Sequence, residues 1–275
     1  MSTFDETDNQ LSRESRSILD GIYQTVDNGL QLNEIGEAPH CQHRTSWKRV
    51  RESDFSSVTW RSLVRSLAER IESNWDQQRC RGKENWRNEP QLELSDHNSG
   101  EKKLEKQVAK FCAGWVNQVP TCSGINEGSR DGKRSVDLAH LHGDTLELIE
   151  LKIDSAHSDT PLWAAFEILI YGLLYRFSRA HRDQLGYTRA SNPLLFDCSA
   201  VDLKVLAPLG YYLAEDRAAI QHLESVINAS LSALHMDGYS MTLTFESFTT
   251  AGPDADFGRA ACEAIISGRV PVVGP

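Results

Sequence analysis

The sequence lacks a run of ~18 uncharged apolar residues, the length a membrane-spanning helix needs. Its most apolar stretch, residues 161–175, is shorter and contains Glu167, so no membrane partner is expected. Cysteine is sparse: Cys41, Cys80, Cys112, Cys122, Cys198 and Cys262 lie far apart. A small disulfide-built secreted scaffold crowds its cysteines, so these are expected to be reduced thiols of a cytoplasmic protein. Residues 1–10 are acidic and polar, unlike the basic-then-apolar order of a secretory leader. His40, Cys41 and His43 have no second pair at finger-like spacing, which argues against structural zinc. No internal repeat or low-complexity tract is visible. Positive charge is also short: 29 Lys and Arg stand against 39 Asp and Glu, for a net charge of -10. Taken over the whole chain, that balance disfavours nucleic acid, because phosphate binding needs local positive charge.

The charge is unevenly spread, however. Residues 1–43 carry eight acids against Arg13 and Arg16, whereas residues 44–88 carry eleven basic residues against six acids. A basic segment on an acidic protein suits capture of a polyanion, although a solvated helical surface gives the same pattern. Hydrophobic residues make up 40% and charged residues 25%, an ordinary globular composition. Three regions are expected: an acidic, weakly ordered N-terminal segment (1–43), a basic helical region (44–98) and an α/β domain (99–275). Within the first, a helix is expected near 11–25. In the second, Val58, Leu63, Leu67 and Ile71 recur at near-helical spacing and predict a helix over 57–75. Trp60, Trp75 and Trp86 there are candidates for stacking on bases, with core packing the commoner use of tryptophan.

The polar stretch 85–99, with Pro90, and Gly100 after it mark the boundary. Ser99 is a candidate N-cap for a helix over 101–115, with Leu104, Val108, Phe111 and Trp115 on one face. Strands are expected at 116–123, 135–142 and 145–153, the last two joined by a Gly143-Asp144 hairpin turn. A long helix at 160–181, a strand at 201–213, a helix at 215–234, a strand at 239–248 and a helix at 254–266 complete the order.

The strand at 145–153 carries the strongest chemical signal. Side chains alternate between faces, so Leu146, Leu148, Glu150 and Lys152 share one face, and Glu147, Ile149, Leu151 and Ile153 the other. Both faces are largely apolar, as in a central strand covered on both sides. An acid and a base two residues apart on such a face are costly to bury unless a partner or metal compensates. Asp137 and Glu150 stand equally far from the turn, so they are expected opposite one another on one face. Two carboxylates so close repel and raise each other's pKa. A divalent cation relieves that repulsion, and hard oxygen donors suit Mg²⁺ or Mn²⁺. Glu150 and Lys152 as a plain ion pair is the structural alternative. His140 and His142 fall on the face opposite Asp137 and read as structural.

Asp137 followed by Glu150-Leu151-Lys152 resembles the signature of the PD-(D/E)XK nuclease superfamily. The resemblance covers about residues 99–182. It implies a restriction-endonuclease-like core of order α-β-β-β-α-β, with a central mixed sheet flanked by helices. In that family the helix before the hairpin often supplies a further glutamate, a place that Glu105 fills here, with Glu101 one turn earlier as competitor. Glu167-x-x-x-Tyr171 resembles the family's Gln-x-x-x-Tyr motif, with Glu in place of Gln. Val136, not proline, precedes Asp137. The resemblance implies a Mg-dependent endonuclease, or phosphodiesterase, acting on nucleic acid, DNA before RNA, with places in defence or repair open to it. It implies a cation held by Asp137, Glu150, Glu105 and the Leu151 carbonyl, with Lys152 orienting or deprotonating the attacking water and Glu167 beside it. Lys102, Lys103, Lys106 and Lys110 are the expected contacts to the nucleic acid backbone. A homodimer is among the implied assemblies, since many such enzymes cut both strands as dimers, though no residue pattern here marks an interface. The alternative function is a catalytically inactive nucleic-acid-binding or protein-interaction module on the same fold.

Overall fold

In the computed structural model the described residues are 17–32, 58–77, 84–93, 99–126, 131, 134–153, 160–213, 217–249 and 257–274. His40, Cys41, His43, Cys80 and most of the basic stretch 44–57 and 78–83 lie outside them. The described elements run α1 (Ile22–Gly29), α2 (Trp60–Asn74), α3 (Gly100–Phe111), β1 (Trp115–Pro120), β2 (Ser135–His142), β3 (Thr145–Leu151), α4 (Pro161–Ala180), a 3₁₀ turn (Pro193–Leu195), β4 (Ala200–Pro208), α5 (Leu209–Tyr212), α6 (Arg217–Leu231), β5 (Ser240–Phe248), α7 (Arg259–Ser267) and β6 (Val270–Pro271). This is an α/β architecture. Its one described sheet has six strands in the order β1-β2-β3-β4-β5-β6. β3, β4 and β5 run parallel, and the remaining pairs are antiparallel. No helix among the described residues is long and apolar enough to cross a membrane.

The sheet separates two apolar layers. On one face Leu146, Leu148, Val201, Leu203, Val205, Leu243 and Phe245 pack with α1, α2, α4 and α6. On the other, Leu138, Ile149, Leu151, Leu206 and Phe248 pack with α3 and α7. The alternation expected along β3 is therefore realised, and β3 is an interior strand covered on both sides. α4 buries nearly its whole circumference because it lies between the sheet and the outer helix α2. Trp60 stacks on Phe166 at 6.1 Å, and Trp86 meets Tyr175 edge-on at 5.2 Å. Both indoles are buried, so they are core residues and not stacking platforms for bases. The four described cysteines, Cys112, Cys122, Cys198 and Cys262, are free and buried.

The expected hairpin is present: His142 pairs with Thr145 across Gly143-Asp144. Gly143 has φ +62°, the positive angle a tight turn demands and glycine tolerates. Ser99 caps α3, its hydroxyl accepting the Lys102 N–H. Three boundaries differ from the sequence reading in ways that bear on the site and its surroundings. Residues 17–21, expected as helix, form a turn held by other bonds before α1 begins at Ile22, and residues 11–16 of that expectation lie outside the described residues. Asp131 accepts the Ile18 N–H, and the Asn74 amide donates to the Ile18 and Asp20 carbonyls. α3 ends at Phe111, so Trp115 opens β1 and is not helical. Gly114, at φ +82°, makes the reversal between them. β4 ends at Pro208, whose fixed φ and missing N–H stop the ladder. Residues 209–212, expected as strand, turn instead into the short helix α5.

Candidate functional site

The site forms where two ladders of the sheet open. Paired residues of β1 and β2 run from Asn117↔Leu138 to Val119↔Val136, passing over Gln118 and Asp137. Gln118 has φ +50°, a region L side chains rarely adopt. The β2–β3 ladder likewise stops at Leu138↔Ile149, one step before Asp137 meets Glu150. In place of a backbone partner, the Leu151 N–H donates to Asp137 Oδ2 at 2.9 Å. A residue's N–H and C=O point to the same side of its strand, so the Leu151 carbonyl also turns toward β2 and Asp137. The next residue points the other way: the Lys152 N–H donates to the Leu206 carbonyl of β4 at 2.9 Å.

α3 supplies the neighbouring acids. Glu101 and Glu105, one turn apart, share a helix face. A carboxylate oxygen from each, together with one from Asp137, lies within 4.8 Å of the other two. The structure thus joins both helix glutamates to Asp137 instead of choosing between them. Glu105 is only 1% exposed and accepts a hydrogen bond from the Gln118 amide, which Lys102 contacts in turn at 3.2 Å. Burial pushes the Glu105 carboxyl up to about 8, against the pull of Gln118 and Lys102. Burial, and then the charge of Glu105, hold Asp137 well above the usual carboxylate range.

Glu150 lies outside this trio, and its Oε1 accepts a 2.6 Å bond from Lys152 Nζ. Lys152 also reaches Glu167 of α4 at 3.4 Å. Burial and the nearby Asp137 carboxylate raise the Glu150 pKa, outweighing Lys152. For Lys152 the balance falls differently. Burial opposes its charge, but Glu150, Glu167, Glu101 and Asp137 together hold the ammonium well above its ordinary value. Without a cation, the surrounding acids decide the sign.

Three residues that the sequence did not suggest adjoin the site. Gln118 connects Glu105 to Lys102, and no residue-type pattern marked it. The Arg134 guanidinium stands 5.7 Å from the ring of Tyr23, with Tyr23, Tyr171 and Glu167 raising its pKa against burial. Tyr211 sits on α5, in the stretch expected as strand, and the break signal Pro208-Leu209-Gly210 was the available clue. Of the expected backbone contacts, Lys102, Lys103 and Lys110 are exposed on α3 and Lys106 is half-buried. His140 faces Glu147 at 3.7 Å and stacks on Trp115 at 4.6 Å, on the face away from Glu150.

No family model, curated protein or solved structure matches this chain.

The donor set fits a hard divalent cation. Three carboxylates crowd together, two of them are pushed toward protonation, and a main-chain carbonyl is turned the same way. A cation removes the repulsion that burial otherwise imposes on such a group.

Proposed function

We propose that this protein is a divalent-cation-dependent nuclease with a PD-(D/E)XK-type, restriction-endonuclease-like core, hydrolysing phosphodiester bonds in nucleic acid, DNA foremost. The observation that carries the proposal is the meeting of Glu101, Glu105 and Asp137 beside the Lys152–Glu150 pair, where two ladders part at the C-terminal end of β3. Carboxylates crowded so closely repel one another, and strongly perturbed groups concentrate at functional sites.

Asp137, Glu105 and Glu101, with the Leu151 carbonyl and the second oxygen of Glu150, would hold Mg²⁺ or Mn²⁺. When bound, the ion supplies an acidified water and neutralises charge growing on the phosphate. The Leu151 N–H fixes the Asp137 carboxylate in place. Gln118 orients Glu105 toward the same point. Glu150 and Glu167 keep Lys152 protonated, which suits it to orienting the attacking water or donating to a phosphoryl oxygen more than to removing a proton. Lys102, Lys103 and Lys110, exposed on α3, would contact flanking phosphates.

The test is nicking of supercoiled plasmid with Mg²⁺ or Mn²⁺, and with EDTA. Cleavage that depends on the cation supports the proposal, and cation-bound protein that leaves plasmid intact removes it. One observation favours the second reading, a binding module that does not cleave: Glu150 and Lys152 are each only 5% exposed and satisfy one another. The same assay separates the two readings, provided DNA binding is measured alongside.

A further inference from the structure

α5 presents two adjacent tyrosines, and their hydroxyls have opposite fates. Both residues are 3% exposed, with rings 5.1 Å apart and nearly perpendicular. The Tyr212 hydroxyl is satisfied by backbone, donating to the Val205 carbonyl at 2.8 Å with the Glu246 carbonyl at 3.1 Å. The Tyr211 hydroxyl is fully buried and has no hydrogen-bond partner among the described residues. Buried polar groups are nearly always paired, and an exception calls for a reason. Tyr239 is the other described tyrosine with such a hydroxyl, but its ring lies under the guanidinium of Arg179 at 4.4 Å, beside Tyr175 and away from the acids.

The topology places Tyr211 at the candidate site. β3 and β4 are parallel neighbours, paired as far as Leu151↔Leu206. The bond from Lys152 N–H to the Leu206 carbonyl brings the ends of the two strands together. α5 follows within a few residues, at the carboxyl ends of the parallel strands, where ligands bind in open α/β sheets. Tyr211 belongs to the apolar layer on the α4 side of the sheet, the face Glu150 and Lys152 share with Leu146 and Leu148. The charged groups the phenol senses are Lys152 first, then Glu167, Glu150 and Glu101. Burial raises its pKa, so the hydroxyl keeps its proton and remains a donor at neutral pH.

We propose that Tyr211 is a further catalytic residue of this site, its hydroxyl donating a hydrogen bond to a non-bridging oxygen of the phosphodiester held beside Lys152. This rests on the nuclease reading above. The phenol donates and keeps its proton. Its contribution is to meet charge that grows on the phosphoryl oxygen as the bond to water forms and the bond to the leaving oxygen breaks. Such a donor has no competing partner to surrender when the phosphate reaches it.

The experiment is cleavage of supercoiled plasmid by the full chain with Mg²⁺, at varied plasmid concentration, for wild type, Tyr211→Phe and Tyr212→Phe. Rates are normalised to the folded fraction from circular dichroism. Tyr211→Phe is expected to lower kcat by about 10²- to 10³-fold, the usual loss for one oxyanion donor, with KM unchanged. Its Tm should hold or rise, since an unmet buried hydroxyl is lost. Tyr212→Phe is expected to do the reverse, lowering Tm and leaving normalised kcat intact. Wild-type kcat in Tyr211→Phe overturns the proposal while the nuclease reading stands. So does a fall in Tm or loss of fold in Tyr211→Phe comparable to that in Tyr212→Phe, because the hydroxyl is then structural. If wild type itself does not cut, the nuclease reading fails and the role of Tyr211 goes with it.

Discussion

β3 carries two glutamates three residues apart, Glu147 half-buried and Glu150 buried, and they sit in opposite electrostatic worlds. Glu147, on the α3–α7 face, belongs to a balanced network. Lys204 reaches Glu147 and Glu246 at 2.7 Å each, and Arg269 reaches the same two acids at 3.2 and 3.4 Å. Burial works against Glu147, but Lys204 and Arg269 outweigh it, and its pKa is lowered. Lys204 is raised in the same way, by Glu147 and Glu246 against burial. Glu150, on the other face, shares the single ammonium of Lys152 with Glu167, and Glu101, Glu105 and Asp137 stand close by. There Glu105, Asp137 and Glu150 are pushed up. One strand thus carries a half-buried acid matched by two cations and a more deeply buried acid that shares one lysine with a second acid. The first reads as structure, fastening the chain after α7 to the sheet. The second reads as a binding site.

The largest expected contrast is in activity. Asp137→Ala and Lys152→Ala should each reduce plasmid cleavage per folded molecule by about 10²- to 10⁴-fold. Lys204→Met should leave the rate per folded molecule unchanged. Equal losses from both faces would erase the distinction, and wild-type cleavage by Asp137→Ala would remove that residue from the site.

Stability should respond the other way round. Removing Lys204 or Arg269 leaves Glu147 and Glu246 one cation between them and should lower stability, by less than the roughly 3–5 kcal/mol typical of a fully buried pair that loses a partner. Asp137→Asn removes a charge from the acid cluster and should raise the Tm of the metal-free protein. Urea denaturation in EDTA measures both. Lys204→Ala as stable as wild type would mean the network is not the fastening described.

The pH dependence of metal-free stability should carry the same signature, more gently. In the unfolded chain a carboxyl such as Glu105 loses its proton near 4.5, whereas burial keeps it protonated to about 8 in the folded state. Between those values unfolding releases a proton, so raising the pH favours unfolding and Tm should fall. Mn²⁺ binds the deprotonated folded form and should flatten or reverse the slope. A Tm in EDTA that rises from pH 5 to 8 would contradict the crowded-acid description.

How much of this was legible in the sequence depended on the range of the interaction. The hairpin, the two-faced burial of β3 and the cap at Ser99 follow from neighbours in sequence, and each was readable. The approach of Asp137 to Glu150 followed from counting back from Gly143. That count did not reveal that both ladders open at Asp137, because the opening depends on the backbone of Gln118 in a different strand. The hydrogen bond from Gln118 to Glu105 and the packing of Arg134 by Tyr23 are long-range contacts with no local periodicity. The balanced partners of Glu147 come from β4, β5 and the chain after α7, so the strand pattern showed a charge on an apolar face without showing what neutralised it. Tyr211 was missed because β4 was read through Pro208.

The smallest expected effect concerns the approach to the site. Lys103 and Lys110 are exposed on α3, the helix that also carries Glu101 and Glu105, whereas Arg61 and Arg65 are exposed on α2 in the outer layer beyond α4. Each pair carries the same charge, so bulk electrostatics alone predicts equal contributions to DNA binding. If phosphates run past the acid cluster, the α3 pair contacts them and the α2 pair does not. Each lost phosphate contact reduces the slope of log affinity against log salt by about one. Anisotropy of a labelled DNA duplex with the Asp137→Ala protein, measured across a salt series, gives that slope directly. Lys103→Ala/Lys110→Ala should flatten it and Arg61→Ala/Arg65→Ala should not, with stability in both within about 0.5 kcal/mol of the parent. If the arginine pair flattens the slope instead, the nucleic acid lies over the outer helices and the acid cluster does not face it.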